Sequence, residues 1–191
     1  MKAKELDNAR TIIGMMVFGF GCGVSSVGYA DERRPPGWLH EVKLGVLHHD
    51  TGGLWSGFRR ESGADFNLEA IFSPQYKILG GFIRPALGGS VNTAGDTSKL
   101  YSGIRWQYDH ASGIFFGVGF GGAVHNGDLH LQHYDRKALG SRVLFHIPVE
   151  IGYRVGARSS LSVYFDHVSN ANLADANEGM DTFGGRYGYR F

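Results

Sequence analysis

The sequence predicts an all-β chain, an eight-stranded antiparallel transmembrane β-barrel. Three observations carry this. Apolar and polar residues alternate with period two along eight segments of similar length. Gly accounts for 30 of the 191 residues and aromatics for 13%, against only five Pro. The faces opposite the apolar ones carry charges of both signs. Other classes are excluded by composition. Abundant aromatics with a net charge of +1 exclude disorder, and Gly without a period of three excludes collagen. Mean hydropathy just below zero, with no apolar run near about 18 residues, excludes a helical membrane bundle. It does not exclude a barrel, whose polar inner face dilutes the average. Near-neutral charge leaves no basic stripe, so no nucleic acid is expected as a partner.

Lys2, Lys4 and Arg10 make a positive start, Thr11–Val24 an apolar run, and Ser25–Ala30 a small polar stretch. Gly28 and Ala30 stand at the positions a signal peptidase reads. Residues 1–30 are therefore expected to be a signal peptide, removed on export. The apolar run falls short of the roughly 20 residues of a spanning helix. The barrel is expected over residues 31–191. Removal takes away three basic and two acidic residues, changing the formal charge from +1 to 0. It also removes Cys22, the single cysteine, so no disulfide is expected.

The expected strands are 38–48, 64–73, 79–91, 98–110, 113–124, 141–154, 159–169 and 181–191. Each is near the about 9–11 residues of a tilted membrane strand. The first two carry Glu41 and Lys43, then Asp65 and Glu69, opposite their apolar faces. In the fourth, Leu100, Ile104, Trp106 and Tyr108 oppose Arg105, Gln107 and Asp109. Gly117, Gly119, Gly121 and Gly122 in the fifth suit tight curvature. The sixth sets Val143, Phe145, Ile147, Val149 and Ile151 against Arg142, His146, Glu150 and Arg154. The seventh sets Leu161, Val163 and Phe165 against Ser160, Ser162, Tyr164 and Asp166. The last sets Phe183, Gly185, Tyr187, Tyr189 and Phe191 against Thr182, Gly184, Arg186, Gly188 and Arg190.

A soluble sandwich buries its apolar face. A membrane barrel turns that face to lipid and pairs the opposing charges in a small lumen. The terminal Phe191 resembles the C-terminal strand signal of bacterial outer-membrane barrels, which favours the second arrangement. An even strand number puts both termini in the periplasm, with short turns at 74–78, 111–112 and 155–158. The outer loops are then 49–63, 92–97, 125–140 and 170–180, most of them longer, as outer-membrane barrels have them. Trp106, Tyr108, Tyr153, Tyr189 and Phe191 form a girdle at the periplasmic end. Eight strands leave a lumen just filled by side chains, so no pore is expected.

Parity singles out three polar residues. His167 and Ser169 continue the lipid-facing row of Leu161, Val163 and Phe165, and Asp181 belongs to the row of Phe183 and Tyr187. Polar groups on a lipid face are costly without a function or an interfacial position. Ser, His and a carboxylate are the components of a serine hydrolase. The imidazole takes the hydroxyl proton, and an acid on its other nitrogen fixes the tautomer. Residues i and i+2 of a strand lie about 6–7 Å apart on one face, within reach of each other's side chains.

His167-Val168-Ser169-Asn170-Ala171, followed by Asn177, Gly179, Asp181 and an aromatic last strand, resembles the lipid A 3-O-deacylases of the PagL type. That resemblance implies an outer-membrane barrel with its active site on the lipid-facing outside. It implies His167 as general base, Ser169 as nucleophile, a carboxylate orienting the His, and Asn170 in the oxyanion hole. The family acid is typically Glu; the matching position here is Asp181, with Glu178 as the alternative acid, facing away by parity. The second oxyanion donor is a backbone N–H at a Gly, and the position here is Asn172, a residue that tolerates left-handed φ. The implied partner is lipopolysaccharide in outer-membrane lipid, with room for a homodimer, and no cofactor is implied.

Arg59, Arg60, Arg136 and Lys137, with Lys99 and Arg142 nearby, lie in or near outer loops where lipid phosphates would sit. His48, His49 and Asp50, and His125, His130 and His133, match no firm metal spacing, and no metal is expected. Two other functions compete: a phospholipid esterase, and a structural or adhesion barrel working through its outer loops.

Overall fold

The computed structural model describes residues 37–191; the expected signal peptide, residues 1–30, lies outside the described residues. The strands are β1 (Leu39–His48), β2 (Ala64–Phe72), β3 (Tyr76–Ile78), β4 (Gly81–Asn92) and β5 (Lys99–Asp109). They continue with β6 (Ile114–His125), β7 (Val143–Arg154), β8 (Ser159–Ser169) and β9 (Met180–Arg190). Long strands adjacent in sequence pair antiparallel, β1 also pairs with β9, and β2 pairs with β4 across β3. The eight long strands therefore close into a barrel. Close backbone approach contributes to the wall's curvature: Gly103 faces Gly121, and a Cβ on Gly103 would come within 2.6 Å of the Gly121 Cα.

One connection differs from expectation. The segment 74–78 is not a plain turn, because Tyr76–Ile78 form β3 against Gly81–Ile83. The reversal is the two-residue link Leu79-Gly80, with φ of 49° and 76°. That left-handed pair matches the twist of a tight hairpin. The third expected strand therefore begins at Gly81 and not at residue 79.

The faces segregate as the alternation requires. Leu44, Val46, Leu68, Leu100, Ile104, Ile151, Leu161 and Val163 are exposed around the outer wall. Trp38, Phe72, Trp106, Phe116, Tyr189 and Phe191 gather in ring contacts at the turn end. The lumen is filled by a ladder of ion pairs. Near the turn end, Glu41 and Asp109 meet Arg154 and Arg190. In the middle, Lys43 binds Glu150 at 2.7 Å, and Glu69 lies between Arg105 and Arg186. Towards the loop end, Asp166 takes Lys99 at 2.5 Å, His146 at 3.2 Å and the Thr182 hydroxyl at 2.8 Å. Such charges are tolerable in a dry lumen only because each has an opposite partner.

Candidate active site

The site is built where β8 and β9 emerge at the loop end. The antiparallel register sets His167 directly opposite Asp181. Their side chains share the outward face, and Asp181 Oδ1 lies 2.6 Å from His167 Nδ1. A carboxylate can only accept, so Nδ1 carries the proton and the lone pair of Nε2 is turned away from Asp181. Ser169 follows two residues later on the same face of β8, opposite Phe145 of β7. Its hydroxyl has no hydrogen-bond partner among the described residues, so it is free to rotate towards the imidazole. The three residues expected from parity are thus brought together on the outer wall.

A cavity of about 760 Å³ opens over them. Phe120, Phe145 and Ile147 give it an apolar side, and His167, Ser169, Asn172 and Asn177 a polar one. Apolar walls around a few polar groups suit a ligand with a long hydrocarbon part.

The oxyanion candidates fall in a tight turn. The Leu173 N–H donates to the Asn170 carbonyl at 3.1 Å, and Ala171 and Asn172 have φ of 54° and 61°. These are the left-handed residues of a type I′ turn. For Ala171 that conformation costs about 1–2 kcal/mol, the kind of strain found at functional sites. The N–H groups of Ala171 and Asn172 are not part of the bond that closes the turn, and both residues line the cavity. Asn170 itself is buried. Its carboxamide donates to the carbonyls of Leu139 and Ala176, at 2.9 and 2.6 Å, and its own N–H donates to Asn177. The Asn170 side chain therefore anchors the turn: its carboxamide N–H groups are engaged by these two carbonyls, which leaves none for a direct role as oxyanion donor.

Glu178 is engaged elsewhere. It accepts the Ala138 N–H at 2.6 Å and pairs with Arg60 at 3.2 Å. Of the cationic candidates, Arg59 is exposed, and Arg60 and Arg136 are half-buried at the loop surface. Lys137 is 0% exposed: its ammonium donates to the Phe58 carbonyl at 2.6 Å and lies 3.4 Å from Asp50. Contrary to expectation, Lys137 is buried among the loops and cannot reach a lipid phosphate.

Lys137 belongs to a cluster that fixes those loops. His49 bridges Asp65 at 2.8 Å and Glu61 at 2.9 Å. Glu61 also accepts N–H donors from Thr97 and Lys137, and Asp50 accepts those of Arg60 and Glu61. Burial alone would lower the His49 pKa, but hydrogen bonds to Asp65 and Glu61 outweigh it and raise it to about 9. Burial disfavours the Glu61 carboxylate, yet His49 and the N–H donors hold its pKa down to about 2. His48, His125 and His133 have separate partners in Thr51, Ser141 and Asp128. Among the described residues no group of His, Cys, Asp and Glu is placed to hold a metal ion.

Two neighbours of the pair escape sequence reasoning. Parity puts His167 and Asp181 on the lipid side, but they are only 5% and 0% exposed. The loop after β1 folds back over them. Trp55 stacks on the His167 ring with centroids 4.4 Å apart, and the Ser56 N–H donates to Asp181 Oδ2 at 2.7 Å. Neither is visible in a period-two pattern, because both belong to an irregular loop.

A sequence model described as lipid A 3-O-deacylase (PagL) matches residues 40–190. Among solved structures, the crystal structure of the outer membrane enzyme PagL aligns with a TM-score of 0.60 at 21% identity, covering 79% of this chain and 99% of that one. The crystal structure of neisserial surface protein A aligns with a TM-score of 0.49 at 14% identity, covering 83% of this chain and 100% of that one. No curated protein matches.

Proposed function

The chain belongs to the lipid A 3-O-deacylase (PagL) family, and on that premise we propose that the outward cavity is its active site, with Ser169, His167 and Asp181 as its machinery. The protein is an outer-membrane β-barrel enzyme that removes the 3-O-linked acyl chain of lipid A. The observation that carries the assignment of residues is the 2.6 Å contact between Asp181 and His167 beside a free serine hydroxyl.

Ser169 attacks the ester carbonyl while His167 Nε2 accepts its proton. Asp181, on the other nitrogen, holds the tautomer and stabilises the imidazolium. The negative charge on the carbonyl oxygen is met by the N–H groups of Ala171 and Asn172, and Asn170 holds their turn in shape. The tetrahedral intermediate collapses by breaking the bond between the acyl carbon and the 3-oxygen, and His167 gives its proton to that oxygen, which leaves as the sugar's hydroxyl. Water, deprotonated by His167, then attacks the acyl-serine; the acyl–Oγ bond breaks, His167 returns the proton to Ser169 Oγ, and the fatty acid leaves. Glu178 keeps a structural role at the loops. The lumen is filled with ion pairs, whereas the cavity opens on the outer wall beside Phe120 and Phe145. Substrate therefore enters sideways from the leaflet, its acyl chains along the apolar side. Arg59, Arg60 and Arg136 stand where its phosphates would lie.

The test is a mixed-lipid assay with the purified barrel, in which lipopolysaccharide and glycerophospholipid compete. Chain loss from lipopolysaccharide alone is expected. Preferential loss from glycerophospholipid overturns the assignment in favour of a phospholipase, and loss from neither overturns it in favour of a non-catalytic barrel.

A further inference from the structure

The loop after β1 touches the reacting residues on two sides. Trp55 lies nearly parallel to the His167 imidazole, 12° between planes and 4.4 Å between centroids. The next residue gives its N–H to the Asp181 oxygen that His167 does not use, at 2.7 Å. Thr51 adds an N–H to the Asp181 carbonyl at 2.8 Å. At another edge of the ring, a Cβ on Gly179 would lie 3.1 Å from His167 Cε1, so the imidazole is confined there too.

Core packing does not explain the stack. Trp55 is 60% exposed, whereas the residues beneath it are closed off. An exposed indole laid flat on a buried imidazole gives little burial to itself and much constraint to its partner. Its face is electron-rich and attracts the cation formed when the imidazole is protonated. The loop is held at its base by the His49–Glu61–Asp65 bridge and by Lys137 on the Phe58 carbonyl. The indole is therefore presented from a fixed support.

We infer that Trp55 is a positioning residue of the reaction centre: it fixes the plane of His167 and stabilises the imidazolium as Ser169 loses its proton. The Ser56 N–H does the corresponding work for Asp181. The inference rests on the Ser169–His167–Asp181 assignment above, and the experiment separates the two.

The test compares the wild type with Trp55→Leu, Trp55→Phe and Ser169→Ala in the full-length purified protein. Two readouts are used: steady-state deacylation of lipopolysaccharide, and the labelling rate of Ser169 by a small fluorophosphonate that lacks an acyl chain. The expected result for Trp55→Leu is a kcat lower by about 10-fold, KM within about twofold, and labelling slowed in proportion. Trp55→Phe, which keeps an aromatic face, is expected to recover most of both rates. Heat-modifiable gel mobility checks that every variant is a folded barrel. Wild-type labelling in Trp55→Leu with only KM raised would overturn the inference and make Trp55 a lipid-binding wall. A loss that phenylalanine does not restore would overturn it as well. Full turnover by Ser169→Ala would instead overturn the assignment of the nucleophile.

Discussion

Asp181 stands directly across the β8–β9 ladder from His167, and one carboxylate oxygen lies 2.6 Å from the ring while the other takes a backbone N–H from Ser56. Both oxygens are therefore satisfied by donors, and the carboxylate is fixed before substrate arrives. Glu178, three residues earlier, spends its oxygens on Ala138 and Arg60.

This division makes the two acids distinguishable. Asp181→Asn is expected to lower kcat by about 10²–10⁴-fold, since the amide no longer selects the right tautomer. Glu178→Gln is expected to retain activity within about tenfold, because its contacts hold loops and not the imidazole. Steady-state rates of the two purified variants check this; the reverse ranking would move the acid to Glu178.

Gly179 has φ of +61°, and its missing side chain leaves room for His167. Gly179→Ala adds about 1–2 kcal/mol of backbone strain and a methyl against the ring edge. The expected outcome is a marked fall in turnover with the barrel still folded, read by activity alongside gel mobility before and after boiling.

Lys137 and Asp50 form a fully buried pair at 3.4 Å. Removing one member leaves a charge without compensation, at a cost of about 3–5 kcal/mol. Lys137→Ala is therefore expected to loosen the outer loops, seen as faster proteolysis there. Arg136→Ala, which loses a half-exposed pair with Asp96 at 3.2 Å, is expected to change proteolysis much less and to raise KM.

The same cluster sets a pH range for the loops. The His49 pKa is raised on folding, so its stabilisation is complete below about 6.5 and lost as pH rises through about 9. That of Glu61 is lowered, so its contribution is present above about 4.5 and lost as pH falls through about 2. Loop protease resistance measured against pH is expected to fall at both limbs, and His49→Gln is expected to flatten the alkaline one.

Much of the wall was legible in the sequence because period-two alternation is dictated by the pleat. The bounds of β6 and β8 differ from the expected strands by no more than a residue, and Asp181 and His167 share a face as their odd numbers require. What was not legible depends on contacts far apart in the chain. Lys137 reads as a loop cation until Asp50 and Phe58 are folded around it. The Asn170 carboxamide is turned by two loop carbonyls, from Leu139 and Ala176, that no local pattern reveals. Trp55 reaches His167 across more than a hundred residues, in a loop with no periodicity. The short β3 has no signature in the sequence, because its three residues are too few to show alternation.

The most direct measurement is mass spectrometry of lipid A from cells producing the wild type or Ser169→Ala at equal outer-membrane levels. The expected result is lipid A lacking one 3-O-linked chain with the wild type, and intact lipid A with Ser169→Ala. Deacylated lipid A from cells carrying Ser169→Ala would contradict the assignment of Ser169 as the nucleophile.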